Sequence, residues 1–169
     1  MAVIEKFLGT RVRIPDDLRY LAKQGLWARQ DEGFIVFGLT EPALVLAGGI
    51  NDLDWLVPDE QPVSMGDTIL FCITGKILYI DTPLSGQIHF NHGLKQSVSL
   101  IARDPYGEGW LFKIKPQQSA EHELKSFSSA EAYIQCLKLT EGFKNPDGLK
   151  GGISEICKAV YSGIREQKL

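Results

Sequence analysis

Up to about Pro116 the chain alternates short apolar runs with turn residues, and beyond it the spacing becomes helical. Leu18–Leu21, Leu26–Arg29 and Phe34–Phe37 are runs of strand length, the last following the turn Asp31-Glu32-Gly33. Before them, Val3, Ile4, Phe7 and Leu8 are spaced for a short amphipathic helix ending at Gly9, and Pro15-Asp16-Asp17 marks a turn. Thr40 is placed to cap a helix with Pro42 in its first turn, filled by Ala43–Ala47 and stopped by Gly48-Gly49. Ile50–Val57 reads as a strand closed by Pro58. Thr68–Ile73 and Ile77–Ile80 then flank Thr74-Gly75-Lys76, which predicts a hairpin with an exposed tip and a positive φ at Gly75. Gln87–Phe90 and Gly109–Ile114 complete the strands. Many short strands with regular turns predict a small barrel or sandwich.

The remaining segments change period. Ser128 or Ser129 caps a helix running to about Leu139, and Asn145-Pro146-Asp147-Gly148 breaks the chain. Ile153, Ile156, Cys157, Val160, Tyr161 and Ile164 recur at i, i+3, i+4, i+7, i+8 and i+11, with Glu155, Lys158, Ser162 and Arg165 on the other face. That stripe predicts an amphipathic helix from about Gly152 to Gln167.

Composition excludes several classes of function. With 44% hydrophobic and 23% charged residues in 169, the chain reads as one ordinary globular domain with an appendage. A net charge of -3 lacks the basic face that nucleic acid requires. The longest apolar run, Ala43–Ile50, is too short to cross a bilayer, and no signal-peptide pattern opens the sequence, so a cytoplasmic protein without membrane contact is expected. Cys72, Cys136 and Cys157 are odd in number and widely spaced, which speaks against a disulfide framework or zinc site. His89, His92 and His122 do not supply a metal set. Gly107 and Gly109 lack the Lys-Ser/Thr of a phosphate loop, and no catalytic triad or carboxylate pair stands out. Trp110 and Phe112 read as core, Cys136 and Cys157 as packing. Cys72 near the hairpin tip reads mainly as a small buried hydrophobe, with a redox thiol as the alternative.

Several ordered motifs nevertheless carry a resemblance. They are Asp17-Leu18-Arg19-Tyr20, Trp27, Phe37-Gly38-Leu39-Thr40-Glu41, Gly66-Asp67, Pro83-Leu84-Ser85-Gly86, Asn91, and the run from Asp104 to Ile114. Together they resemble the H protein of the glycine cleavage system, a lipoyl-bearing carrier. The resemblance covers residues 16–139 and implies a mostly β barrel-sandwich hybrid of the biotinyl/lipoyl-carrier type with flanking helices. Residues 1–15 then form an N-terminal segment and 140–169 a C-terminal amphipathic helical extension.

The same resemblance locates the attachment position. In the family the lipoylated lysine stands eight residues before the proline of Pro-x-Ser-Gly, with a glutamate three residues ahead of it. Counting back from Pro83 puts Gly75 at the lysine and Cys72 at the glutamate, with Lys76 one residue late. The expectation is therefore a protein without its own active site: a lipoyl-less paralogue, acting as a binding or scaffold module. The alternative is a functional lipoyl carrier, modified on Lys76, that shuttles the aminomethyl group in glycine decarboxylation. Partners implied are glycine cleavage or other lipoate-handling proteins, with self-association through the C-terminal helix as a further expectation. A biotin carrier is disfavoured, because neither Met1 nor Met65 precedes the turn lysine.

Overall fold

The computed structural model describes residues 1–149; the expected helix over 152–167, with Cys157, lies outside them. Eleven strands and a few short helices make up this part of the chain. β1 (Ala2–Phe7) and β2 (Thr10–Ile14) form a hairpin. β3 (Arg19–Leu21), β4 (Leu26–Asp31), β5 (Phe34–Leu39), β7 (Pro62–Val63), β10 (Gly86–Phe90) and β11 (Phe112–Pro116) build a six-stranded sheet in the order β3-β4-β5-β11-β10-β7. β6 (Asp52–Trp55), β8 (Thr68–Ile73) and β9 (Ile77–Asp81) form a second, three-stranded sheet in the order β6-β8-β9. Neighbouring strands are antiparallel throughout, and neither sheet closes on itself.

One core lies between these sheets. Leu26, Ile35, Phe37 and Leu39 from one side meet Leu53, Ile69, Leu70 and Cys72 from the other, all at most 1% exposed. β5 and β11 cross the sequence to pair Phe37 with Phe112, whose rings stack at 4.9 Å. A second core lies on the other face of the six-stranded sheet. There Phe7, Val12 and Ile14 of the N-terminal hairpin pack with Tyr20, Trp27, Tyr133 and Leu137.

The first segment is therefore a hairpin and not the helix its apolar spacing predicts. From Arg11 to Ile14 the chain alternates, burying Val12 and Ile14 and exposing Arg11 and Arg13, which is the period of a strand and not of a helix. Leu8 and Gly9 take the positive φ values of 51° and 80° that fold β1 back onto it. Elsewhere the strands fall near their expected places. Ile50–Val57 shortens to Asp52–Trp55, and the expected Gly109 start moves to Phe112 because the Gly109 N–H donates to the Asp104 carbonyl at 2.8 Å.

Helix α1 (Glu41–Ala47) begins and ends as its sequence dictates. Thr40 accepts from the Ala43 N–H, Pro42 sits in the first turn, and Gly48 closes the helix in the left-handed region. The Thr40 hydroxyl is also 2.6 Å from the Tyr133 hydroxyl, so the cap joins α1 to α4 (Ala130–Leu137). Ser129 caps α4 through the Ala132 N–H, and its buried face is Ala130, Tyr133 and Leu137. Between them lie a short α2 (Leu100–Arg103) and α3 (Ala120–Leu124). After α4, α5 (Glu141–Lys144) lays Gly142 against the Phe7 ring, and the Gly9 N–H donates to the Pro146 carbonyl at 2.8 Å.

Candidate functional site

The β8–β9 hairpin ends in a turn that closes on itself. The Thr74 N–H donates to the Lys76 carbonyl at 2.8 Å, and the Lys76 N–H donates to Thr74 Oγ1 at 3.0 Å. Gly75 stands at the apex. Its φ is not positive, contrary to the expectation from a tight glycine turn, and Thr74 and Lys76 are hydrogen-bonded across it. A side chain at 75 would meet nothing within 4 Å. Lys76 is exposed, as a tip residue should be, and no carboxylate pairs with it among the described residues.

Behind the tip the hairpin is anchored by polar closure. The Thr82 N–H donates to the Asp67 carbonyl and the Gly66 N–H to the Thr82 carbonyl. The buried Thr82 hydroxyl donates to the Leu84 carbonyl at 2.7 Å. Ser85 Oγ accepts from the Met65 N–H at 2.8 Å. Gly86 then enters β10 with its neighbours so close that a Cβ would lie 2.2 Å from the Lys115 carbonyl oxygen. The Pro-Leu-Ser-Gly motif is thus the joint that passes the chain from the three-stranded to the six-stranded sheet.

Other motif residues prove to be packing. Trp27 is buried opposite Gly38 in the β4–β5 ladder, where a Cβ would come within 2.6 Å of its ring, and its Nε1 donates to the Pro105 carbonyl. The Tyr106 hydroxyl donates to the Arg13 carbonyl and accepts from the Glu41 N–H, tying the Asp-Pro-Tyr turn to α1 and β2. Glu41 in turn holds Arg13 through both carboxylate oxygens. Burial raises the hydroxyl pKa of Tyr20, Tyr106 and Tyr133, that of Tyr133 to about 12 against the opposing Thr40 hydrogen bond, so all three remain neutral hydrogen-bonding groups.

The cysteines separate by environment. Cys72 faces the core opposite Leu53 and Leu78, fully buried, and burial pushes its thiol up to about 12. A thiol so raised holds almost no thiolate at neutral pH and is a poor nucleophile. Cys136 is exposed on α4, not packed as its helical position suggests, because Tyr133 and Leu137 take the buried face. Alkylation of the native protein with iodoacetamide at pH 8, followed by peptide mass mapping, should label Cys136 at least about tenfold faster than Cys72. Comparable rates would show that the hairpin opens readily.

Trp55 packs against Phe90 and the His92 ring, with Lys95 5.7 Å from its ring centroid. His92 pairs with Asp59 at 2.5 Å and His89 lies beside Glu60, so both have carboxylate neighbours. Among the described residues no cluster of three or more His, Cys, Asp or Glu side chains is arranged to hold a metal, and no helix is long and apolar enough to cross a membrane.

Two open antiparallel sheets around one core, with a hairpin presented at one end, define a barrel-sandwich hybrid with flanking helices. A profile of the family described as glycine cleavage H-protein matches residues 18–140. The glycine cleavage system H protein of Alteromonas mediterranea is 38% identical over 71% of this chain and 92% of its own length. That of Cronobacter sakazakii is 36% identical over 74% and 96%. The crystal structure of a glycine cleavage system H protein from Mycobacterium marinum superposes with a TM-score of 0.60 at 26% identity, over 72% of this chain and 97% of that one. The chain belongs to the glycine cleavage H-protein family.

Proposed function

We propose that the chain is a lipoyl-less H-protein paralogue, a non-enzymatic binding module that keeps the hairpin and lacks the arm. The observation that carries this reading is Gly75. It occupies the apex of the hairpin, at the position the family resemblance gives to the modified lysine, and it has no amine to form an amide. A lipoyl group supplies a reversible dithiol where it is attached, and the buried, neutral Cys72 is no substitute for one. Gly75 and Cys72 therefore do not fit the group. The module extends over about residues 16–139, with 1–15 and 140–169 as additions, and its partners are glycine cleavage or other lipoate-handling proteins of the cytoplasm.

A second reading is favoured by the exposure of Lys76 at the tip. Attachment there would make the chain a carrier of the aminomethyl group in glycine decarboxylation. Co-expression with a lipoate ligase and added lipoate decides between the two. Intact mass spectrometry should show the wild-type chain without the increment of an amide-linked lipoyl group. Stoichiometric gain of that increment, mapped to Lys76, overturns the first reading and establishes the second.

A further inference from the structure

β9 is the outer strand of the three-stranded sheet, and its free edge has a readable hydrogen-bonding series. Asp81 turns its backbone away from β8. There the Gln24 side chain meets it twice: the Asp81 N–H donates to Gln24 Oε1 at 2.8 Å, and Gln24 Nε2 donates to the Asp81 carbonyl at 2.9 Å. Alternate residues of an antiparallel strand face the same edge, so Tyr79 and Ile77 turn their N–H and C=O groups the same way. The other ends of the ladder agree. Lys76 turns its carbonyl inward to Thr74, and Ile73, opposite Ile77, turns its carbonyl outward to the Asn51 N–H. Among the described residues, no partner meets the outward groups of Ile77 and Tyr79. Gln24 thus forms a first rung on the outer edge of β9.

The surroundings define what would fit. Ile77 and Tyr79 are 55% and 58% exposed, and the run Ile77-Leu78-Tyr79-Ile80 has none of the charge or proline with which edge strands are usually guarded. Between this edge and α1 lie two adjoining hollows of about 350 and 340 Å³ that share Leu46, Ala47 and Leu78. The only charged side chains lining them, among the described residues, are Lys76 at the tip end and Lys23 at the other. Both are exposed, and among the described residues no carboxylate lines the hollows. An edge of five residues spans about 17 Å. That is too little to bury the roughly 800 Å² per partner of a stable protein pair, so a peptide segment suits it better than a second copy.

We infer that the β9 edge is a strand-addition site for an extended segment of a partner protein, apolar at alternate positions and acidic at both ends. This rests on the reading of the chain as a binding module, and names what it binds. The backbone supplies the affinity through Ile77 and Tyr79, the apolar floor of Leu46 and Leu78 reads alternate side chains, and Lys23 and Lys76 set the ends.

The test uses the unmodified full-length chain, so its result does not depend on whether lipoylation occurs elsewhere. The probe is the synthetic peptide Glu-Thr-Val-Thr-Val-Thr-Glu, followed by amide hydrogen exchange with NMR detection. At saturation the Ile77 and Tyr79 amides should exchange at least about tenfold more slowly, while Leu78 and Ile80, already bonded to β8, stay unchanged. The same peptide N-methylated at all five internal residues should bind at least about tenfold more weakly, because it has lost its donors whichever way it runs. Tyr79→Pro removes an edge donor without touching a β8 rung and should weaken the peptide at least about tenfold relative to Tyr79→Ala, which loses the same ring contact with Phe71 but keeps the donor. Lys23→Glu and Lys76→Glu should each weaken it several-fold at low salt. Absence of protection at millimolar peptide overturns the proposal, as does equal binding of the N-methylated peptide. Protection of the same amides without peptide, rising with protein concentration, also overturns it and assigns the edge to a second copy.

Discussion

Gly86→Ala should be the most damaging single-methyl change in the described chain. Its Cβ would lie 2.2 Å from the Lys115 carbonyl oxygen and 2.8 Å from Ile114 Cγ2, and Gly86 pairs at once with Pro116 of β11 and Val63 of β7. Neither neighbour can step aside, since both belong to a ladder held from two sides. Overpacking against backbone in such a place costs about 3 kcal/mol, which for a chain of this size lowers Tm by about 10 °C. Because the same turn joins the two sheets, the loss should appear as one cooperative transition at lower temperature, measured by circular dichroism. A control is Gly33→Ala, where a Cβ meets nothing within 4 Å and only the positive φ of 84° is unfavourable; it should cost about 1 kcal/mol. Equal Tm values for the two variants would refute the role given to the joint.

The other large effect is a gain. Gly75→Lys should convert an unmodified chain into one that accepts a lipoyl group from a lipoate ligase, read as the mass increment localised to residue 75. The apex offers open space and a backbone that any residue can adopt, so the lysine enters without strain. Replacing a glycine at such a position restricts the unfolded chain, and stability should stay the same or rise by about 0.5 kcal/mol. The positive φ that the sequence predicts at Gly75 would resist a side chain, and the folded turn does not take it. If Gly75→Lys stays unmodified while the ligase modifies a control carrier, recognition depends on more than a lysine at the apex. Cys72, buried where the family resemblance places an acidic neighbour, is then the residue to examine.

What the sequence makes legible is what depends on local chemistry. Thr40, Pro42 and Gly48 dictate α1 by capping alone, and Ser129 does the same for α4. The hairpin around Thr74-Gly75-Lys76 follows from two apolar runs and a break. The N-terminal hairpin was hidden because Val3, Ile4, Phe7 and Leu8 fit a helical spacing equally well, and only the distant partners Tyr20, Tyr133 and Phe143 decide which side chains face inward. The role of Trp27 was equally unreadable, because it depends on a glycine across the ladder and a carbonyl from the Asp-Pro-Tyr turn. The candidate site divides in the same way. Lys76 and Gly75 are plain in the sequence. The exposed edge of Ile77 and Tyr79 is not, since no residue type announces which strand will lie outermost, and Gln24 carries no signal that it pairs with Asp81.

The N-terminal hairpin has a consequence for the order in which the protein can be made. β1 is synthesised before the other described elements, yet Leu8 gives its N–H to Gly142, Gly9 gives its own to Pro146, and Phe7 rests on α5. A ribosome must therefore add almost every described residue before the opening strand finds its seat, and contacts so distant in sequence form slowly. Until then β2 is held to α1 through Arg13 and Glu41, but Phe7 of β1 lacks the α5 surface it rests on. A nascent chain stalled before residue 142 would present a preformed core with its lid unlatched, and holdase chaperones should recognise it there by the bare Phe7.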